Sequence, residues 1–221
     1  MRILIRAALM VSLAAGLSPP IVAASKTHVI SYGRWSTIRI STVTNDDKAV
    51  EAKIRPLYVD GKQKEFTIGA SHDLTERLFV VQRVLHINDA LPGETAGGNR
   101  WVWQRGGWLL VDRNSGHISV VNLPDFDSEN SSVVWYRDYA AYCGLADDGK
   151  TLFAVVMQVG RRKPVLHKSL GEISEDGTVP CDLPLWQRLP SRVTFASTAN
   201  QRFTFAVRGR SAEILSDDDE E

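Results

Sequence analysis

Ala146-Asp147-Asp148-Gly149-Lys150-Thr151-Leu152-Phe153-Ala154-Val155-Val156 reads as a tight polar turn running straight into a strand. The Asp-Asp-Gly corner supplies short side-chain acceptors and an unhindered backbone, which turns demand, and the residues after it are the β-branched and aromatic types that fit a pleated surface. The pattern occurs twice more, as Asp73-Leu74-Thr75-Glu76-Arg77-Leu78-Phe79-Val80-Val81 and as Thr198-Ala199-Asn200-Gln201-Arg202-Phe203-Thr204-Phe205-Ala206-Val207. Each copy leads towards a further strand. A chain assembled from such units is antiparallel and all-β.

The segments on either side agree. Residues 35–43 alternate apolar and polar side chains with the period of a half-buried strand. Residues 50–59 are strand-like and end at Asp60-Gly61, a strong two-residue hairpin signal because both central positions of that turn need positive φ. Strands are expected at 64–68 and 78–87, followed by a loop at 88–99 rich in glycine and short polar residues. The apolar segment 101–111 contains Gly106-Gly107, which predicts a tight hairpin. A turn at Arg105-Gly106 sets Trp103 opposite Trp108, and a turn one residue later sets Trp108 opposite Arg105. Further strands are expected at 117–122, 133–144, 152–159, 165–167, 192–196, 202–207 and 212–215, with loops at 124–132 and 169–191. About a dozen short strands with frequent turns and no amphipathic helix define the class.

The ends are read separately. Arg2 and Arg6, an apolar run at 7–17, Pro19-Pro20 and the small residues Val22-Ala23-Ala24 have the order of a secretory leader, with Ser25 the first residue of the trimmed chain. The apolar run is shorter than the ~20 residues of a membrane span. The expected organisation is a leader at 1–24, one all-β domain at 25–215 and an acidic disordered tail at 216–221, in a protein exported to the periplasm or secreted. The chain carries 26 basic and 26 acidic residues, and loss of the leader's two arginines leaves it slightly acidic. That balance gives no electrostatic reason to expect nucleic acid or a polybasic membrane binder. Cys143 and Cys181 are the two cysteines. In an oxidising compartment they form a disulfide candidate across roughly 38 residues; two separate buried thiols are the alternative.

The turn–strand–turn–strand layout resembles β-propeller blades. Residues 146–156 look like the S-P-D-G-K-x-L-A-V corner of bacterial propellers, and Trp108-Leu109-Leu110-Val111-Asp112-Arg113-Asn114-Ser115-Gly116-His117-Ile118 looks like their L-x-x-V-D-x-x-T-G-x-V strand pair. The likeness covers residues 70–122, 142–168 and 193–215. It implies propeller-like stacked small sheets, as a small or incomplete propeller, with a β-sandwich as the alternative. The chain departs from the pattern in lacking the proline before Asp147 and the Gly-His and Trp-Asp marks of WD repeats, and it has room for four blades at most.

Chemistry is sparsely signalled. Trp101, Trp103 and Trp108 offer flat apolar faces with a polar edge, suited to sugar rings or peptide side chains, and equally to cross-strand packing. Arg161 and Arg162, with Lys163, form a basic cluster for an anionic glycan or phosphate, or a solvated hairpin tip. The histidines lack metal spacing, and no nucleophile elbow, Walker loop, dinucleotide fingerprint or zinc motif is present, so neither cofactor nor metal is expected. The reading that follows is an exported non-enzymatic binding or scaffolding domain for a protein or glycan partner. Its rivals are a hydrolase or lyase with dispersed carboxylates and arginine, and a sheet-completing assembly subunit.

Overall fold

A computed structural model of the chain describes residues 27–42, 45–91, 100–173, 181–196 and 201–215. The expected leader, the expected acidic tail and most of the expected 88–99 loop lie outside the described residues. The fold is all-β, as expected, and the described residues contain no helix. None is therefore long and apolar enough to cross a membrane.

The strands form three sheets. The first holds β1 (Ile30–Tyr32), β2 (Ser36–Thr42), β3 (Asn45–Val59), β4 (Lys62–Asp73), β5 (Leu78–Asn88), β6 (Trp101–Asp112) and β7 (Ile118–Val120). The second holds β8 (Val134–Tyr136), β9 (Tyr139–Leu145), β10 (Thr151–Gln158) and β11 (Leu166–Glu172). The third holds β12 (Leu185–Gln187), β13 (Arg192–Ala196), β14 (Arg202–Arg208) and β15 (Ser211–Ile214). The second and third are four-stranded antiparallel meanders in chain order.

In the first sheet β3 to β7 also meander, but β2 pairs with β3 and, in parallel, with β6 through Ile40 and Trp103. Strands β2 to β6 thus close into a ring, which removes exposed edges. The curvature shows in the side chains. Phe66 on β4 and Trp103 on β6 are two strands apart, about 9–10 Å in a flat sheet. Their rings nonetheless meet edge-to-face at 5.0 Å. The β3–β4 turn is Asp60-Gly61 with φ of 52° and 73°, as the sequence predicts. Asp60 also anchors the incoming chain, accepting from the Val29 amide at 3.0 Å and pairing with His28 at 2.7 Å.

Two local expectations are corrected. There is no hairpin at Gly106-Gly107, because β6 runs unbroken through both residues. Gln82 pairs with Trp108 and Val84 with Arg105, so Arg83 alone on β5 faces two residues on β6. The glycine pair is a β-bulge. A Cβ on Gly106 would lie 2.5 Å from Cγ of Arg83, so the neighbouring strand requires the glycine there. Trp103 and Trp108 therefore lie on one strand and never face each other. Likewise residues 133–144 are two strands. Arg137-Asp138 turns the chain, with Arg137 at φ 54°.

The three sheets stack. On one face of the second sheet Ala141, Cys143, Ala154 and Val156 pack against Val193, Phe195, Phe205 and Val207 of the third. On its other face Ala140, Tyr142, Val155 and Met157 meet Leu123, Phe126 and Trp135. Those side chains continue into the cluster around Val80 and Trp108 of the first sheet. Double burial explains why β9 and β10 read as nearly unbroken apolar runs. The alternate residues Phe79, Val81, Leu109 and Val111 pack with Leu57, Tyr32 and Ile118 on the far face of the first sheet. Cys143 on β9 is bonded to Cys181, Cα to Cα 6.1 Å, so the pair are not separate thiols. The bridge ties the second sheet to the chain entering the third.

Candidate functional site

The corrected course of β6 decides where its tryptophans go. Because β6 pairs with β5 along its whole length, His86 faces Trp103 and Asn88 faces Trp101. Alternate residues of a strand share a face, so Trp101 and Trp103 stand side by side with His86 next to both. The imidazole stacks on Trp103 with centroids 4.3 Å apart and planes 18° apart. It lies 5.1 Å from Trp101 at 34°. Trp103 rests on Phe66 and is held from beneath, while Trp101 is 54 % exposed. The result is a row of three aromatic rings, fixed at one end by the ring of strands and open at the other. Such a row offers a rigid apolar face at low side-chain entropy, with the indole N–H groups and imidazole nitrogens available for orientation.

Two clefts open elsewhere on the first sheet. One, of about 490 Å³, is lined by His28, Tyr32, Ser71, Phe79, Arg113 and Asn114. Arg113 is committed there, donating to Asp73 at 2.7 Å and to the Glu76 carbonyl at 3.1 Å. Burial pushes the Tyr32 phenol above its ordinary range. The other, of about 350 Å³, lies beside Lys64, Glu65, Arg83 and His117. Here Arg83 donates to both carboxylate oxygens of Glu65 at 3.1 Å. In each cleft the principal cation is neutralised by a structural partner. Asp112 is held far below the usual carboxylate range by the two-point hydrogen bond from Arg77. That is the opposite of the upward shift a general acid needs. Among the described residues no group of three histidine, cysteine or carboxylate side chains is placed to hold a metal.

The remaining sequence candidates are dispersed. Trp108 is buried at 9 % exposure, edge-on to Trp135 at 5.2 Å between the first and second sheets, so it seals a layer interface. Trp135, Tyr136 and Tyr139 also serve the stack. Trp135 lies over His72, and Trp186 of the third sheet packs on both tyrosines and donates to the Val134 carbonyl at 3.1 Å. Arg161 and Arg162 sit on the β10–β11 connection of the second sheet, apart from the β6 tryptophans. Cys143 and Cys181 are structural. His86 is the member that no sequence signal marks. Only the β5–β6 register reveals it, and a hairpin read inside β6 hides that register. Comparison with known proteins adds no constraint, since the chain matches no protein-family model, no curated protein and no solved structure.

Proposed function

We propose that the chain is an exported, non-enzymatic β-scaffold that binds a protein or glycan partner on the aromatic row of Trp101, His86 and Trp103. One observation carries the reading: an indole more than half exposed is held beside a stacked imidazole and a second, half-buried indole on one face of the sheet. A solvated row of rigid rings suits the apolar face of a sugar or an aromatic or proline side chain. Export rests on the leader-like order of residues 1–24. A blade-like reading of the second and third sheets is supported by their form, each a four-stranded meander with the turn–strand motif as its third strand.

The test is a screen of immobilised glycans and peptides with the wild-type chain, Trp101→Ala and Arg162→Ala. Trp101 is exposed, so its loss leaves the fold intact. Binding that drops at least tenfold in Trp101→Ala and persists in Arg162→Ala supports the row, since one stacked ring contributes ~1.5 kcal/mol or more. Binding that Trp101→Ala leaves unchanged for every captured ligand removes the proposal.

A further inference from the structure

In a meander, alternate turns emerge at the same end. The β8–β9, β10–β11, β12–β13 and β14–β15 connections therefore lie at one end of the second and third sheets, and the contacts show that the two ends coincide. The Tyr139 hydroxyl, at the start of β9, donates to the carbonyl of Gly209 in the β14–β15 turn at 2.9 Å. The Val159 amide of the β10–β11 connection donates to the Asp138 carbonyl of the β8–β9 turn at 2.9 Å. Trp186 of β12 packs on Tyr136 and Tyr139 beside them.

All four connections carry cations. Arg137, Arg162, Lys163, Arg188, Arg208 and Arg210 are exposed, and none has a carboxylate partner among the described residues. The carboxylate in these turns, Asp138, accepts from Gln158 at 2.8 Å. At the tip of the β12–β13 turn, between Arg188 and Arg192, stands Leu189 at 87 % exposure. The β9–β10 turn at the opposite end carries Asp147 and Asp148 beside Lys150. The near-zero net charge, which argues against a polybasic surface, sums over both ends and conceals this separation.

We propose that this basic rim docks on an anionic lipid surface, with Leu189 entering the headgroup layer and the surrounding guanidinium and ammonium groups holding lipid phosphates. Cations at the rim are drawn to a negative leaflet, each strengthening attachment about fivefold. Any polyanion would satisfy the cations. A soluble one would leave Leu189 in water, whereas a bilayer offers it an apolar destination, and that selects the bilayer. The rim is built from other sheets than the aromatic row and does not depend on it.

The test is co-sedimentation of the full chain with vesicles of phosphatidylcholine alone, and with roughly a third of phosphatidylglycerol added. The apolar run at residues 7–17 is common to all variants and both vesicles, so the readout is the ratio of the two partition coefficients. The wild-type ratio is expected to exceed about 100 and to fall with added salt. Arg162→Ser should lower it about fivefold, and Arg162→Ser with Lys163→Ser about 25-fold. Leu189→Ser, with unchanged circular dichroism, should weaken attachment to the phosphatidylglycerol vesicles about tenfold. Equal partition on both vesicles overturns the proposal. So does attachment to the phosphatidylglycerol vesicles that Leu189→Ser leaves unweakened, or a preference that soluble dextran sulfate matches at equal charge concentration, because either result assigns the rim to a soluble polyanion.

Discussion

Removing the Cys143–Cys181 bridge should cost this fold about 4 kcal/mol. The bond spans 38 positions, a stretch that includes β10 and β11. Closing a loop of that size in the unfolded chain removes entropy equivalent to roughly 4 kcal/mol at 25 °C. Packing adds little, since Cys143→Ala deletes one sulfur at a site lined by Ala141 and Ala154. The assay is urea denaturation of the oxidised chain, the reduced chain, Cys143→Ala and the double Cys143→Ala/Cys181→Ala variant. With a slope of about 2–3 kcal/mol per molar, the midpoint should fall by roughly 1.3–2 M in all three bridge-free forms alike. A loss below ~1 kcal/mol on reduction would refute the loop argument. So would a single variant far more damaged than the reduced protein, since packing at Cys143 would then be the larger effect.

Three further outcomes follow from particular contacts. Tyr142 is fully buried, donates to the Pro124 carbonyl at 2.6 Å, and is pushed far above the usual phenol range by burial. The unfolded chain therefore ionises first, and stability should fall by up to ~1.4 kcal/mol per pH unit above pH ~10 on this group's account. Tyr142→Phe should remove this group's share of the alkaline slope and leave that of Tyr32, at a loss of about 1 kcal/mol at neutral pH measured by denaturation. The depressed carboxyl of Asp112 acts in the opposite direction. Its contribution is present above the unfolded value near 4 and is lost as pH falls through the folded one, so Asp112→Asn should flatten the acid limb of the stability curve without moving the alkaline limb. At the β6 bulge, Gly106→Val should cost about 1–3 kcal/mol by displacing Arg83 from Glu65. Gly107→Ala, where a Cβ meets nothing within 4 Å, should stay within ~0.5 kcal/mol of wild type in the same melts.

What could be read from residues alone was whatever neighbours in sequence decide. Asp60-Gly61 announced its turn because positive φ at both positions is a local requirement with a local signature. The turn–strand motif was equally legible. Two of its copies became β10 and β14, each the third strand of a four-stranded meander, and the other became β5, an inner strand of the larger sheet. What failed depended on a partner strand. Gly106-Gly107 looks like a turn until Arg83 is set against it. The Arg137-Asp138 turn carries no glycine or proline, and its positive φ falls on an arginine, so an apolar segment appeared continuous. The aromatic row was half visible. Trp101 and Trp103 stand out by type, but their exposure and the burial of Trp108 follow from which layer covers each face. The basic rim was visible only as Arg161-Arg162-Lys163, because its other members sit on turns far apart in the chain.

Strands β9 and β10, at the centre of the middle sheet, have no solvent face of their own. Ala141 and Val156 depend on the last strands of the chain for cover, and Ala140 and Tyr142 on the segment before β8. Neither neighbour can therefore be trimmed away without opening apolar surface on what remains. Three separately hydrogen-bonded ladders should thus melt in a single transition, and a fragment ending before β12 would be prone to aggregate rather than survive as a smaller version of the whole.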